Sequence, residues 1–233
     1  MTVPAAQSLA AAIIQASSYR ETHAHDRTSH APLTVTVSRQ AGAGGTAIAV
    51  EVGTRLGWPV YDRGLVERVA NEMHLRTKLL ESVDERRLHW LRECVESFSQ
   101  GRHVSESAFV RHLVQTMLSL STHGACVLVG RGAAAVLPPL TTLRVAVVAP
   151  RADRVVNLAN EQGVSREEAA RRVDRIDHER EAFVRDHFGR NPADPANFDI
   201  VLNSSRFSRA ECAGLVIEAL HRREAHAAQA PPA

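Results

Sequence analysis

A chain of 233 residues with 44% hydrophobic side chains can bury one sizeable α/β core with an insertion, or two small cores. A formal net charge of +2 is too small to imply a nucleic-acid partner, and no apolar run approaches the length that spans a bilayer. The cysteines, Cys94, Cys126 and Cys212, are odd in number and widely spaced, which argues against a disulfide framework or zinc site and fits a reducing, cytoplasmic setting.

Residues 1–32 read as a flexible N-terminal arm. Met1 to Ile14 is alanine-rich but lacks the basic start and long apolar run of a secretory signal. Tyr19 to Ala31 is polar and His-rich, and His23, His25 and Asp26 are expected to be solvated linker rather than a metal site. From Leu33 the pattern changes. Val35 and Val37 are β-branched and read as a buried strand that stops at Ser38. Gly42, Ala43, Gly44, Gly45 and Thr46 then form a turn whose backbone N–H groups can approach an anion with little hindrance. Ile48, Val52 and Leu56 recur at helical spacing, and Gly57 marks the helix end.

A strand, a glycine turn and a helix make the architecture of a phosphate cradle. Against the pattern G-x-x-x-x-G-K-[ST], anchored on Gly44, Arg39 falls at the first glycine, Gly45 at the lysine and Thr46 at the hydroxyl. The turn and the hydroxyl are present and the lysine is not. The chain carries one lysine, Lys78, against 27 arginines, and guanidinium forks grip phosphate bidentately.

Trp58 to Asp62 predicts a short second strand ending in a carboxylate, where open α/β sheets bind ligands; Asp62 would also cap the next helix. Residues 75–123 carry helical periodicity without a strand signal, and the span from about 64 to 123 reads as a helical insertion. Ala125 to Val129 is a continuous apolar run, hence a buried parallel strand, and it leads into Gly130-Arg131-Gly132. A charge in that neighbourhood needs an anion, so Arg131 is expected to be functional. Leu143 to Val148 is another buried strand and Arg151 to Asn160 a helix. Ser165 to Glu168 matches a capping box, opening a helix to about Phe188 that carries Arg172, Arg175, Asp177 and Arg180. Its charges suit a surface helix laced with ion pairs, or an arginine-bearing lid over residues 165–197. Phe198 to Asn203 is a last strand. A second capping box, Ser208 to Glu211, starts the C-terminal helix, and residues 225–233 read as a disordered tail. The expected architecture is α/β, a doubly wound five-stranded parallel sheet with helices on both faces.

Four stretches, in order, resemble the cytidylate kinase-like family of P-loop proteins. SRQAGAGG (38–45) is similar to the family's Ser-Arg-x-x-Gly-x-Gly-Gly loop, and WPVYDRGLVER (58–68) to its strand–Asp–x–Gly segment. VGRG (129–132) is similar to its Gly-Arg strand end, and RIDHER (175–180) with FDIVLNSS (198–205) to its lid Asp-x-x-Arg and closing strand. The resemblance covers about residues 33–224. It implies a nucleoside-monophosphate kinase fold with strand order 2-3-1-4-5, and transfer of a phosphoryl group from ATP, with magnesium, to a pyrimidine monophosphate of the CMP or dCMP kind.

On that basis the loop Gly42–Thr46 would hold the donor phosphates, with Thr46 ligating magnesium. Arg68 and Arg131 would clamp the acceptor phosphate, with Asp62 orienting the acceptor or a metal-bound water. Arg180, oriented by Asp177, would approach the transferred group, and Arg39 would replace the missing lysine. Nucleotides are the expected partners, without nucleic acid or membrane, and a homodimer is compatible with the exposed insertion. A second reading, from the absent lysine, is a catalytically impaired nucleotide-binding protein with a regulatory or assembly role.

Overall fold

The computed structural model describes residues 33–62, 64 and 108–229. The N-terminal arm, Arg68 and most of the expected insertion lie outside the described residues. Strand β1 spans Thr34–Arg39, β2 Val60–Tyr61, β3 Val127–Val129, β4 Thr142–Val148 and β5 Ile200–Asn203. They form one parallel sheet in the order β2-β3-β1-β4-β5, as the family resemblance implies.

Alternation along the strands sorts the core. Val35 and Val37 pair in register with Val127 and Val129 on one side and with Leu143 and Val145 on the other. These valines and leucines share one sheet face with helix α1 (Gly45–Leu56), through Ile48, Ala49 and Val52, and with the C-terminal helix, through Cys212, Ala213, Val216 and Leu220. The opposite face carries Tyr61, Cys126 and Leu128 against helix α2 (Ala108–His123), through Leu113, Met117 and Leu118, and against helix α3 (Ala133–Val136). Both faces are covered, which is why the strands read as apolar runs.

After β4 come helices α4 (Arg151–Gln162) and α5 (Arg166–Phe188), which pack as a hairpin. Val155, Leu158, Ala159, Ala169 and Val173 make a third small core, and it closes on Ala41 of the glycine loop. The first half of α5 is therefore packed on α4, in a small core that also takes in Ala41. The Ser165 cap is present, with its hydroxyl accepting the Glu168 N–H at 3.2 Å, and α5 stops at Gly189. The second capping box is complete. Glu211 N–H donates to Ser208 Oγ at 3.3 Å, and Ser208 N–H to Glu211 Oε2 at 2.8 Å.

The structure corrects the tail. Helix α6 runs Arg209–Gln229, five residues into the stretch expected to be disordered. Ala225 to Gln229 contains good helix formers, and the first proline lies beyond it at Pro231. Helix α3, a single turn after Gly132, was not expected either. Val201 on the edge strand β5 is 46% exposed, so that strand is less buried than its apolar run suggests. Among the described residues no helix is long and apolar enough to cross a membrane.

Candidate active site

The C-terminal ends of the adjacent strands β3, β1 and β4 lead into three successive turns: Gly130-Arg131-Gly132, the loop from Gln40 to Gly44, and Ala149-Pro150. Polar side chains tie the loop to its neighbours. Gln40 N–H donates to the Val147 carbonyl at 3.1 Å, and Gln40 Oε1 accepts from Ala149 N–H at 3.1 Å. Asn157 on α4 donates to the Gly42 carbonyl at 3.1 Å. Gly42 has φ +76°, and a Cβ there would run into the Arg154 carbonyl, so this position needs glycine for conformation and for space. Gly44 caps α1 without a side-chain hydrogen bond. The first N–H groups of α1 thus open toward the loop, where helix geometry favours an anion.

Beside the loop lies a cleft of about 490 Å³. Arg39 enters from β1, Arg131 from the turn after β3, and Asp177 and Arg180 from α5; Phe183, Ile176, Val184, Pro195 and Phe198 supply apolar wall. Four of the expected site residues therefore meet at one cavity: Arg39, Arg131, Asp177 and Arg180. Gly42, Ala43, Gly44, Gly45 and Thr46 do not line it. They sit next to it, joined through Arg39, whose Nε donates to Thr46 Oγ1 at 3.4 Å. Asp62 follows β2 at the same sheet edge, partly buried, and is not among the lining residues.

Arg131 has φ +54°, a left-handed conformation that costs a non-glycine residue roughly 1–2 kcal/mol. Ala125, at the other end of the β3 segment, shares this conformation with φ +48°. The Arg131 guanidinium carbon lies 5.3 Å from the centroid of the Phe183 ring, a cation–π contact from α5. Phe183, His187 and Phe188 form an edge-to-face cluster, and Phe188 packs where Gly132 lacks a side chain. The aromatic end of α5 thus covers the Arg131 turn.

Asp177 has other partners than the one expected of it. The resemblance implied that it orients Arg180. Its Oδ1 accepts the Ala41 N–H at 2.7 Å, and its Oδ2 pairs with Arg154 Nη1 at 2.5 Å. Arg180 Nη1 donates to the Arg39 carbonyl at 3.0 Å. Arg154 is the residue that sequence reading missed. It is 7% exposed, and it also donates to the Ala149 and Ala41 carbonyls at 3.0 and 3.2 Å. A second arginine one helical turn after Arg151, at the foot of a buried strand, was the only available signal.

Residues 34–206 match the model of the cytidylate kinase-like family. No curated protein matches the chain. A crystal structure of an uncharacterized protein from Eubacterium ventriosum superposes with TM-score 0.64 at 16% identity, covering 82% of this chain and 98% of that one. At that identity the likeness is one of fold. A shikimate kinase from Bacteroides thetaiotaomicron aligns with TM-score 0.45 at 14% identity, over 81% of this chain and 98% of its own. A dephospho-CoA kinase from Campylobacter jejuni aligns with TM-score 0.37 at 14% identity, over 82% and 97%. With a family match spanning most of the sequence, an open glycine loop and three arginines around one cleft, the chain belongs to the cytidylate kinase-like family.

Proposed function

We propose that the protein transfers the terminal phosphoryl group of ATP to a nucleoside monophosphate, with a pyrimidine such as CMP or dCMP as acceptor. In that reaction the bond from the transferred phosphorus to the bridging oxygen of ATP breaks. A bond from an acceptor phosphate oxygen to the same phosphorus forms, giving ADP and a nucleoside diphosphate. Little covalent work falls to the protein, which must align two anions and neutralise the charge spread over the transferred group.

The single observation that carries this reading is the convergence of Arg39, Arg131 and Arg180, from three elements, on one cleft beside an open phosphate loop. A site that only held one nucleotide would need fewer cations directed at a second anion. In this reading Gly42 to Thr46 hold the donor phosphates, and Arg131 and Arg68 grip the acceptor phosphate. Arg180 lies toward the transferred group, Asp177 holds the loop in shape, and Asp62 stands at the acceptor edge. Magnesium, bound with ATP, neutralises phosphate charge, and the Thr46 hydroxyl, an exposed oxygen beside the open helix end, fits as its ligand. The N-terminal arm is proposed to stand outside the catalytic domain, whereas the insertion, through Arg68, and the α5 lid, through Asp177 and Arg180, are parts of it.

A nucleotide-binding protein without turnover is the second reading, favoured by Gly45 where a P-loop lysine would stand. Product formation separates the two. Incubated with ATP, magnesium and CMP, dCMP, UMP or AMP, the protein forms a diphosphate from at least one pyrimidine acceptor. ATP binding with no diphosphate from any acceptor would favour the second reading.

A further inference from the structure

Gly45 and Arg39 are coupled by space. Gly45 has ordinary backbone angles, so it is not glycine for conformation. A Cβ there would lie 2.5 Å from Arg39 Cβ and 3.2 Å from both Arg39 Cγ and Val147 Cβ. The stem of Arg39 therefore fills the room that a lysine at the start of α1 would use. The other end of Arg39 reaches the neighbouring turn. A Cβ on Gly130 would overlap Arg39 Nη1 and lie 3.2 Å from its Cζ, and Arg39 Nε donates to Thr46 Oγ1. The Arg39 carbonyl is held by Arg180. Gly45 leaves room for the stem of Arg39, and Gly130, where a φ of +78° itself favours glycine, leaves room for its guanidinium.

We infer that the cation for the donor phosphates has moved from the helix to the strand, and that Arg39 delivers it from the end of β1, between the donor loop and the Arg131 turn. The inference rests on reading the loop as an ATP site. A guanidinium in this position grips two phosphate oxygens at once, where a lysine offers a point charge. It also explains why the loop loses its lysine without losing its glycines.

The stem and the lysine exclude each other, which makes the test a swap. ATP and AMP dissociation constants are measured with magnesium for the wild type, Arg39→Gln, Gly45→Lys and the double variant R39G/G45K. Glycine is required at 39 in the double variant because the overlap begins at Cβ. Arg39→Gln keeps the stem and removes the charge, so ATP binding weakens by about tenfold or more. AMP, which lacks the outer phosphates, changes less than about twofold. Gly45→Lys alone weakens ATP binding, and R39G/G45K binds ATP more tightly than Gly45→Lys. Unchanged ATP affinity in Arg39→Gln, or equal losses for ATP and AMP, would overturn the inference even if the double variant failed to fold. A wild-type protein that binds no ATP would overturn the underlying reading instead.

Discussion

Asp177 on α5 accepts the backbone N–H of Ala41 at 2.7 Å and shares its other oxygen with the buried Arg154. The pair couples the α4–α5 hairpin to the first turn of the glycine loop. Side chains of Arg154 and Asp177 are only 9% and 18% exposed, so neither charge has full access to water. Removing one partner leaves the other desolvated and uncompensated, which costs more than the pair contributes.

Asp177→Ala should therefore destabilise the protein by about 3 kcal/mol, and Arg154→Ala by a similar amount. The double variant should fall well short of the sum, since the second change removes a charge already orphaned. Urea unfolding with an unchanged slope checks both statements. Additive losses would place the two residues in separate roles.

Phe183 touches Arg131 and stands apart from the phosphate loop, so its effect should be selective. Phe183→Leu keeps most of the apolar packing and removes the ring face, a loss of roughly 0.5–1 kcal/mol for a partly exposed cation–π contact. CMP binding should weaken about two- to fivefold while ATP binding holds. Equal weakening of both would mean that the aromatic end of α5 shapes the whole cleft.

The described cysteines are packing residues. Cys126 is 1% exposed and Cys212 fully buried, and burial pushes the Cys126 thiol up to about 12 and raises Cys212. In the native protein at pH 8 neither should react with a thiol reagent, and both should react after denaturation. The raised thiol also sets a sign for stability. The folded state keeps its proton while the unfolded thiol loses it above roughly pH 8.5. The stabilisation is complete below that value and is lost as pH rises toward 12. Between pH 8 and pH 10 this loss is about 2 kcal/mol, and Cys126→Ala should remove most of it. Denaturant midpoints at the two pH values check the difference.

Much of the fold was legible in sequence, because strand and helix signals here follow from local patterns. Val35 and Val37, the apolar run to Val129, and the caps at Ser165 and Ser208 each act within a few residues of themselves. The glycine loop, Arg131 and Arg180 were visible as motifs for the same reason. Contacts between distant segments were not visible. Arg154 looked like one more arginine on a charged helix, and its burial depends on Ala41 and Asp177. Gly45 looked like a defect, and only its contact with the Arg39 stem shows what fills the space. The tail differs because helix propensity holds through Ala227, Ala228 and Gln229, and the prolines begin only at Pro231.

The central claim is that two anions are gripped separately around one cleft, the donor by the loop and the acceptor by Arg131. Paired titrations of ATP and CMP on wild type and Arg131→Ala test it most directly. Charged hydrogen bonds of this kind are worth about 1.5–3 kcal/mol, so CMP binding should fall by about tenfold or more with ATP affinity within about twofold of wild type. A collapse of ATP affinity in Arg131→Ala, with CMP binding kept, would contradict the account.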